Sequence, residues 1–157
     1  MTVLYLAHTE CDNSLHKSAL EGLTVAKDLA EGLGEDLAVG LIGSDVAAAA
    51  DSIAGCGAKF YAVSGPDFAD GRYASDLAAA EAMAKAVGPA IVIGPDTSRF
   101  SRALPGLAIR LDGRVDTHLS GFSVEDGKPV AKRWFYRQRM EGTLTREERP
   151  WIVTLSS

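Results

Sequence analysis

The sequence predicts a three-layer, Rossmann-like α/β sandwich: a mostly parallel sheet with helices on both faces and antiparallel strands added at the C-terminal end. Three observations predict it. Short, wholly apolar runs alternate with stretches of helical periodicity through the first three-quarters of the chain. Glycine stands at the end of each of those helical stretches, where a left-handed residue stops a helix. After Gly113 the pattern changes to longer runs on either side of an Asp126-Gly127 turn signal.

The strands come first. Val3 to Ala7, Leu37 to Ile42, Phe60 to Val63 and Ala90 to Ile93 are each too short for a helix and bounded by polar or turn residues. Strands covered on both faces have this form. Between the first two, Leu15, Ala19, Leu20, Leu23, Ala26, Ala30 and Leu33 make one apolar helical stripe. Ser14 is suited to cap this helix and Gly34 to end it. Ser44 or Asp45 opens a second, alanine-rich helix ending at Gly55, and Tyr73 to Val87 makes a third, closed by Gly88. Ser98 or Ser101 opens a fourth that runs to Leu111 and stops at Asp112-Gly113. Pro105 inside it implies either a kink or a start just before it.

This βα alternation demands right-handed crossovers and a parallel sheet. Val115 to Val124 then reads as a strand, Val130 to Gln138 as its hairpin partner and Trp151 to Leu155 as a final strand, all assigned to the antiparallel addition. No linker, repeat or low-complexity segment divides the chain, so residues 1–157 form a single expected domain.

The chain of 157 residues carries 16 basic and 21 acidic residues, a net charge of −5. That balance argues against nonspecific nucleic-acid binding, which needs a basic footprint. A chain of this size buries roughly 70% of its unfolded surface and needs no disulfide or metal to fold. Neither Cys11 nor Cys56 has a histidine or cysteine at metal-ligand spacing, so both are read as buried or unremarkable thiols and no metal site is expected. Val3 to Ala7 has no basic segment before it and no small-residue cleavage site after it, which makes it a strand and not a leader. No apolar stretch is long enough for a bilayer. A cytoplasmic protein without membrane contact is expected.

The loops hold little recognisable chemistry. The loop His8 to Ser14 lacks the glycines that let backbone approach a pyrophosphate, and Gly55-Cys56-Gly57 precedes a strand instead of following one. The loop after the fourth strand is the best ligand candidate. Thr97, Ser98 and Ser101 offer hydroxyls, Arg99 and Arg102 offer charge, and a helix begins there, as a phosphate requires. Simple capping by Thr97 or Ser98, with solvated arginines, explains the same residues. Asp116, His118 and Ser120 alternate along one strand and are expected to share a face, too far apart for a catalytic relay. No catalytic residue is assigned. His8 and His16 are read as polar loop and helix-face residues.

Lys132, Arg133, Arg137 and Arg139 crowd Trp134, Phe135 and Tyr136. Such a mixture suits single-stranded nucleic acid, a charge-guarded sheet edge or a protein-docking surface. The acidic chain favours the last two. Arg133, Trp134, Phe135, Tyr136 and Arg137 are therefore the candidate docking residues. Trp134 and Tyr136 are expected on one face of the strand, and Arg133, Phe135 and Arg137 on the other, with one of the two sets covering the core.

Three stretches resemble the α-subunit of electron transfer flavoproteins. The first is the opening strand Val3 to Ala7 with its polar loop and the helix bearing Ala19, Leu20 and Ala26. The second is Thr97-Ser98, Arg102, Leu104-Pro105, Leu107-Ala108, Leu111 and Asp116, with Ser101 in place of the family's usual glycine and Gly106 where an arginine often follows the proline. The third is Arg133-Trp134-Phe135-Tyr136, similar to the family's Arg-Pro-x-Tyr strand. The resemblance covers nearly the whole chain but only the N-terminal half of a typical α-subunit.

It implies a fold of the adenine nucleotide α-hydrolase-like type and a part in electron transfer that is not enzymatic in its own right. FAD is then expected outside this chain, in a C-terminal domain or a partner. The implied partners are an electron transfer flavoprotein β-subunit or a second copy. The remaining alternative is an adenine-nucleotide-binding module that uses Thr97, Ser98, Ser101 and Arg102.

Overall fold

The computed structural model describes residues 2–10, 12–68 and 71–156, and at residue 56 the backbone only. Cys11 and the Cys56 side chain, read above as buried or unremarkable thiols, lie outside what is described. Each of the four apolar runs is a strand: β1 (Thr2–His8), β2 (Asp36–Gly43), β3 (Lys59–Ser64) and β4 (Ile91–Pro95). The helices are α1 (Lys17–Leu33), α2 (Ala47–Ser52), α3 (Tyr73–Val87) and α4 (Ser98–Arg110). The C-terminal part adds β5 (Arg114–Glu125), β6 (Lys128–Phe135), β7 (Met140–Leu144) and β8 (Trp151–Leu155).

All eight strands form one sheet in the order β3-β2-β1-β4-β8-β5-β6-β7. Alternation along β1 sends Val3, Tyr5 and Ala7 into one core, beneath α1, and Leu4 and Leu6 into the other, beneath α3 and α4. Both faces of the central strands are thus covered, which is why their sequences carry no polar alternation. Among the described residues no helix is long and apolar enough to cross a membrane.

Several boundaries differ from the sequence expectations. Helix α1 is capped by His16, whose side chain accepts from the Ser18 N–H, and not by Ser14, whose hydroxyl is held by Asp12 at 2.6 Å. Gly34 ends α1 in the left-handed conformation, as expected. Helix α2 stops at Ser52 and gives way to a short 3-10 turn, Ala54–Cys56. Pro105 lies inside α4, so the helix does not begin at it. A β-carbon at Gly106 would meet the Tyr73 hydroxyl and crowd Leu77 at 3.2 Å.

The largest correction concerns β8. It is parallel to both neighbours and lies between β4 and β5, with every residue buried. Its unbroken apolar run Trp151 to Leu155 is the mark of a covered central strand. The antiparallel addition is therefore β6 and β7 alone.

Candidate functional site

Open parallel sheets take ligands at the carboxyl ends of strands where neighbouring crossovers diverge. Here that crevice lies between β1 and β4, whose following helices lie on opposite faces of the sheet. It opens as a cleft of about 420 Å³ lined by Glu10, His16, Ser18, Asp96, Thr97 and Leu155. Two carboxylates and one imidazole line it, with no guanidinium or ammonium.

The polar groups around this cleft bond chiefly to one another. Thr97 caps α4 by accepting from the Phe100 N–H at 3.3 Å. Its hydroxyl also lies 3.0 Å from His8 Nε2. His8 is not a loop residue: it is the last residue of β1, buried, with its ring edge-to-face against Phe100 at 5.0 Å. Burial first, and the nearby Arg99 charge second, hold its imidazole below the ordinary value and favour the neutral form. Asp96 accepts from Ser101 Oγ at 2.7 Å and from Thr154 Oγ1 at 3.3 Å, and pairs with His118 Nδ1.

The arginines of this stretch point elsewhere. Arg99 is buried and grips Asp76 with two bonds of 2.7 Å, while also donating to the Phe68 carbonyl at 3.0 Å. It ties α4 to α3. Arg102 is turned along its own helix and donates to the Ser98 carbonyl at 3.1 Å. So Thr97, Ser98 and Ser101 gather at the start of α4, and both arginines are drawn away from the cleft.

Asp116, His118 and Ser120 do not share a face. Strand β5 bulges between Asp116 and Leu119 and again between Leu119 and Gly121, and His118 takes a left-handed conformation. Each bulge shifts the alternation by one residue, so Asp116 turns inward with Leu119 and Phe122. There its carboxylate accepts two bonds from Arg146, at 2.5 and 2.9 Å, and one from the Trp151 indole at 2.8 Å. The bonds from Arg146 to Asp116 raise the Arg146 pKa above its ordinary value and tie down the segment leading into β8. Ser120 donates to the Lys132 carbonyl instead.

The second candidate is the β6–β7 hairpin. Pro129, Val130 and Ala131 are buried, but from Trp134 to Glu141 every residue is exposed. Trp134 is 46% exposed, Phe135 36%, Tyr136 75% and Met140 57%. The hairpin runs past the end of the helical layers as an arm. Residues opposite each other across antiparallel strands share a face. Phe135 and Met140 form one such pair, and Trp134 and Glu141 another on the opposite face. The expected division is therefore corrected: neither set covers the core here. Tyr136 and Arg137 are not on a strand at all, because Tyr136, Arg137 and Gln138 form a turn with φ of 52°, 55° and 64°.

Within the arm, Phe135 lies over Gly142, where a β-carbon would come within 2.5 Å of its ring. The Arg133 guanidinium stands 5.4 Å from the Phe135 centroid, a cation–π distance. Sequence reasoning missed β7, the burial of His8 and the Arg99–Asp76 pair. Only His8 left a signal, as a polar residue ending an apolar strand run.

The family model described as electron transfer flavoprotein domain matches residues 3–157. No curated protein matches the chain.

Proposed function

The chain belongs to the electron transfer flavoprotein domain family, and on that premise we propose that it is the scaffold and docking domain of an α-subunit. In this reading it holds a partner chain in place, takes part in electron transfer through that assembly, and leaves the flavin to another domain or chain. A β-subunit of the same family is the proposed partner. The observation that carries the reading is the contrast between a cleft whose side chains bond chiefly to one another and an arm whose aromatic and basic side chains are largely exposed.

The cleft does not fit a flavin. A pyrophosphate placed at the start of α4 would face Asp96 and Glu10, with Arg99 and Arg102 both bonded elsewhere. The isoalloxazine ring needs an apolar stacking surface with a few placed polar groups. The cleft's lining supplies carboxylates, hydroxyls and one exposed imidazole, with Leu155 its single apolar side chain. No electron-transfer step is therefore assigned to residues of this chain.

The test is direct. Purified chain refolded with excess FAD and passed over a desalting column is expected to show no flavin absorption. A stoichiometric flavin spectrum would remove the scaffold reading.

A further inference from the structure

We propose that the β6–β7 arm is inserted into an acid-rimmed, apolar slot on the partner chain, gripped on both of its faces. This rests on the docking reading above and adds the arm as the contact, insertion as its mode, and acidity as the partner's chemistry.

Insertion follows from two-sidedness. A strand pair lying on a flat surface needs large side chains on one face only, since the other remains in water. Here both faces carry them: Phe135 with Met140 on one side and Trp134 on the other. Tyr136, three-quarters exposed, stands at the tip. Aromatics and arginine are the side chains that dominate interface energies once water is excluded. The outer edge of β7 is also unpaired in the sheet. Solvent-exposed edges are normally kept short, charged or capped by proline to prevent unwanted pairing. Strand β7 is short and carries Glu141, yet it also presents the exposed Met140 beside Phe135, which suits an edge that another chain covers.

The turn points the same way. Tyr136, Arg137 and Gln138 are three successive non-glycine residues in the left-handed region. Each is disfavoured there relative to a glycine, because its β-carbon crowds the following carbonyl. An isolated loop gains by having Gly or Asn at such positions. Tyr136 and Arg137 at these positions suit side chains that act outside the fold.

Charge defines the partner. Residues 128–139 hold five of the 16 basic residues and none of the 21 acidic ones. The rest of the chain therefore has 11 basic against 21 acidic residues, a net of −10. A polyanion such as nucleic acid approaching the arm would also meet that acidic body. A protein slot with carboxylates at its rim engages the arm alone, within about 8–10 Å, beyond which salt screens the rest. Complementary charge of this kind raises association rates and suppresses wrong partners.

The experiment titrates wild-type chain and two arm variants with purified electron transfer flavoprotein β-subunit from the same source organism, by calorimetry at low and moderate salt. The variants are Trp134→Ala, and Arg137→Glu combined with Arg139→Glu. All these side chains are exposed, and circular dichroism confirms each fold. Both variants are expected to weaken binding about thirtyfold or more, the size of a hot-spot loss. Raising salt from about 50 to about 300 mM should weaken the wild type more than the charge-reversed variant. If wild type binds and both arm variants bind equally well, the insertion proposal is overturned while the docking reading stands. If wild type does not bind, the docking reading itself fails. Arm-dependent self-association in sedimentation, or arm-dependent binding of an oligothymidine strand, would assign the arm to a different occupant and overturn the proposal.

Discussion

The carboxyl-edge cleft and the β6–β7 arm hold different polar residue types and use them in opposite ways. In the cleft, hydroxyls, imidazoles and a carboxylate are spent on one another: Thr97 with His8, and Asp96 with Ser101, Thr154 and His118. In the arm, arginines and aromatics find few protein partners beyond the Arg133–Phe135 contact. A buried polar network specifies a fold only when its members are satisfied, and one that is satisfied has little left to offer a ligand. In the proposed reading, the position where parallel sheets ordinarily bind small molecules is structural in this chain. That reading places the capacity for recognition on the antiparallel addition.

The largest expected effect separates body from arm by stability. Arg99→Ala leaves the Asp76 carboxylate buried without its cation and is expected to cost about 3–5 kcal/mol. Trp134→Ala, at an exposed arm position, is expected to cost less than about 1 kcal/mol. Urea unfolding of the two variants measures both. Equal losses would break the comparison, because the arm would then be part of the core's stability.

A smaller effect sharpens it through pH. His8 has a folded-state pKa below its ordinary 6.5. The unfolded chain therefore takes up the proton first, and stability falls as pH drops below about 6.5. His8→Gln is expected to lack that component of the acid-side decline while keeping the rest. Unfolding midpoints followed from neutral to mildly acidic pH provide the check; parallel curves for the two proteins would mean that His8 titrates like an exposed residue.

The smallest effect is an expected null. Millimolar AMP or ATP is expected to leave the melting temperature unchanged, since a ligand stabilises only by binding the native state. Arg102→Ala should change nothing further. A nucleotide-dependent rise in wild type that is lost in Arg102→Ala would restore the cleft as a binding site.

Much of the body was legible in the sequence, because period and glycine punctuation report local geometry. The runs at Val3, Leu37, Phe60 and Ala90 and the helices ending at Gly34 and Gly88 needed nothing more. Strand order was not legible. The Trp151 to Leu155 run signals a covered strand but not a place between β4 and β5. Strand β7, Met-Glu-Gly-Thr-Leu, has a central glycine and weak β propensity, and Phe135 covers that glycine from the neighbouring strand. The turn before it has no glycine or asparagine to announce it. The two bulges in β5 undid the alternation of Asp116, His118 and Ser120, since a bulge depends on the partner strand's register. The Arg99–Asp76 pair joins residues 23 apart on different helices, a separation that no local pattern encodes.

The central claim is that this domain meets its partner through the arm and not through the cleft. Backbone amide spectra of isotope-labelled chain, recorded with and without the β-subunit, test it most directly. The account predicts that shifts and broadening concentrate on residues 131–144. Perturbation concentrated on residues 8–18 and 94–102, with the arm unmoved, would contradict it.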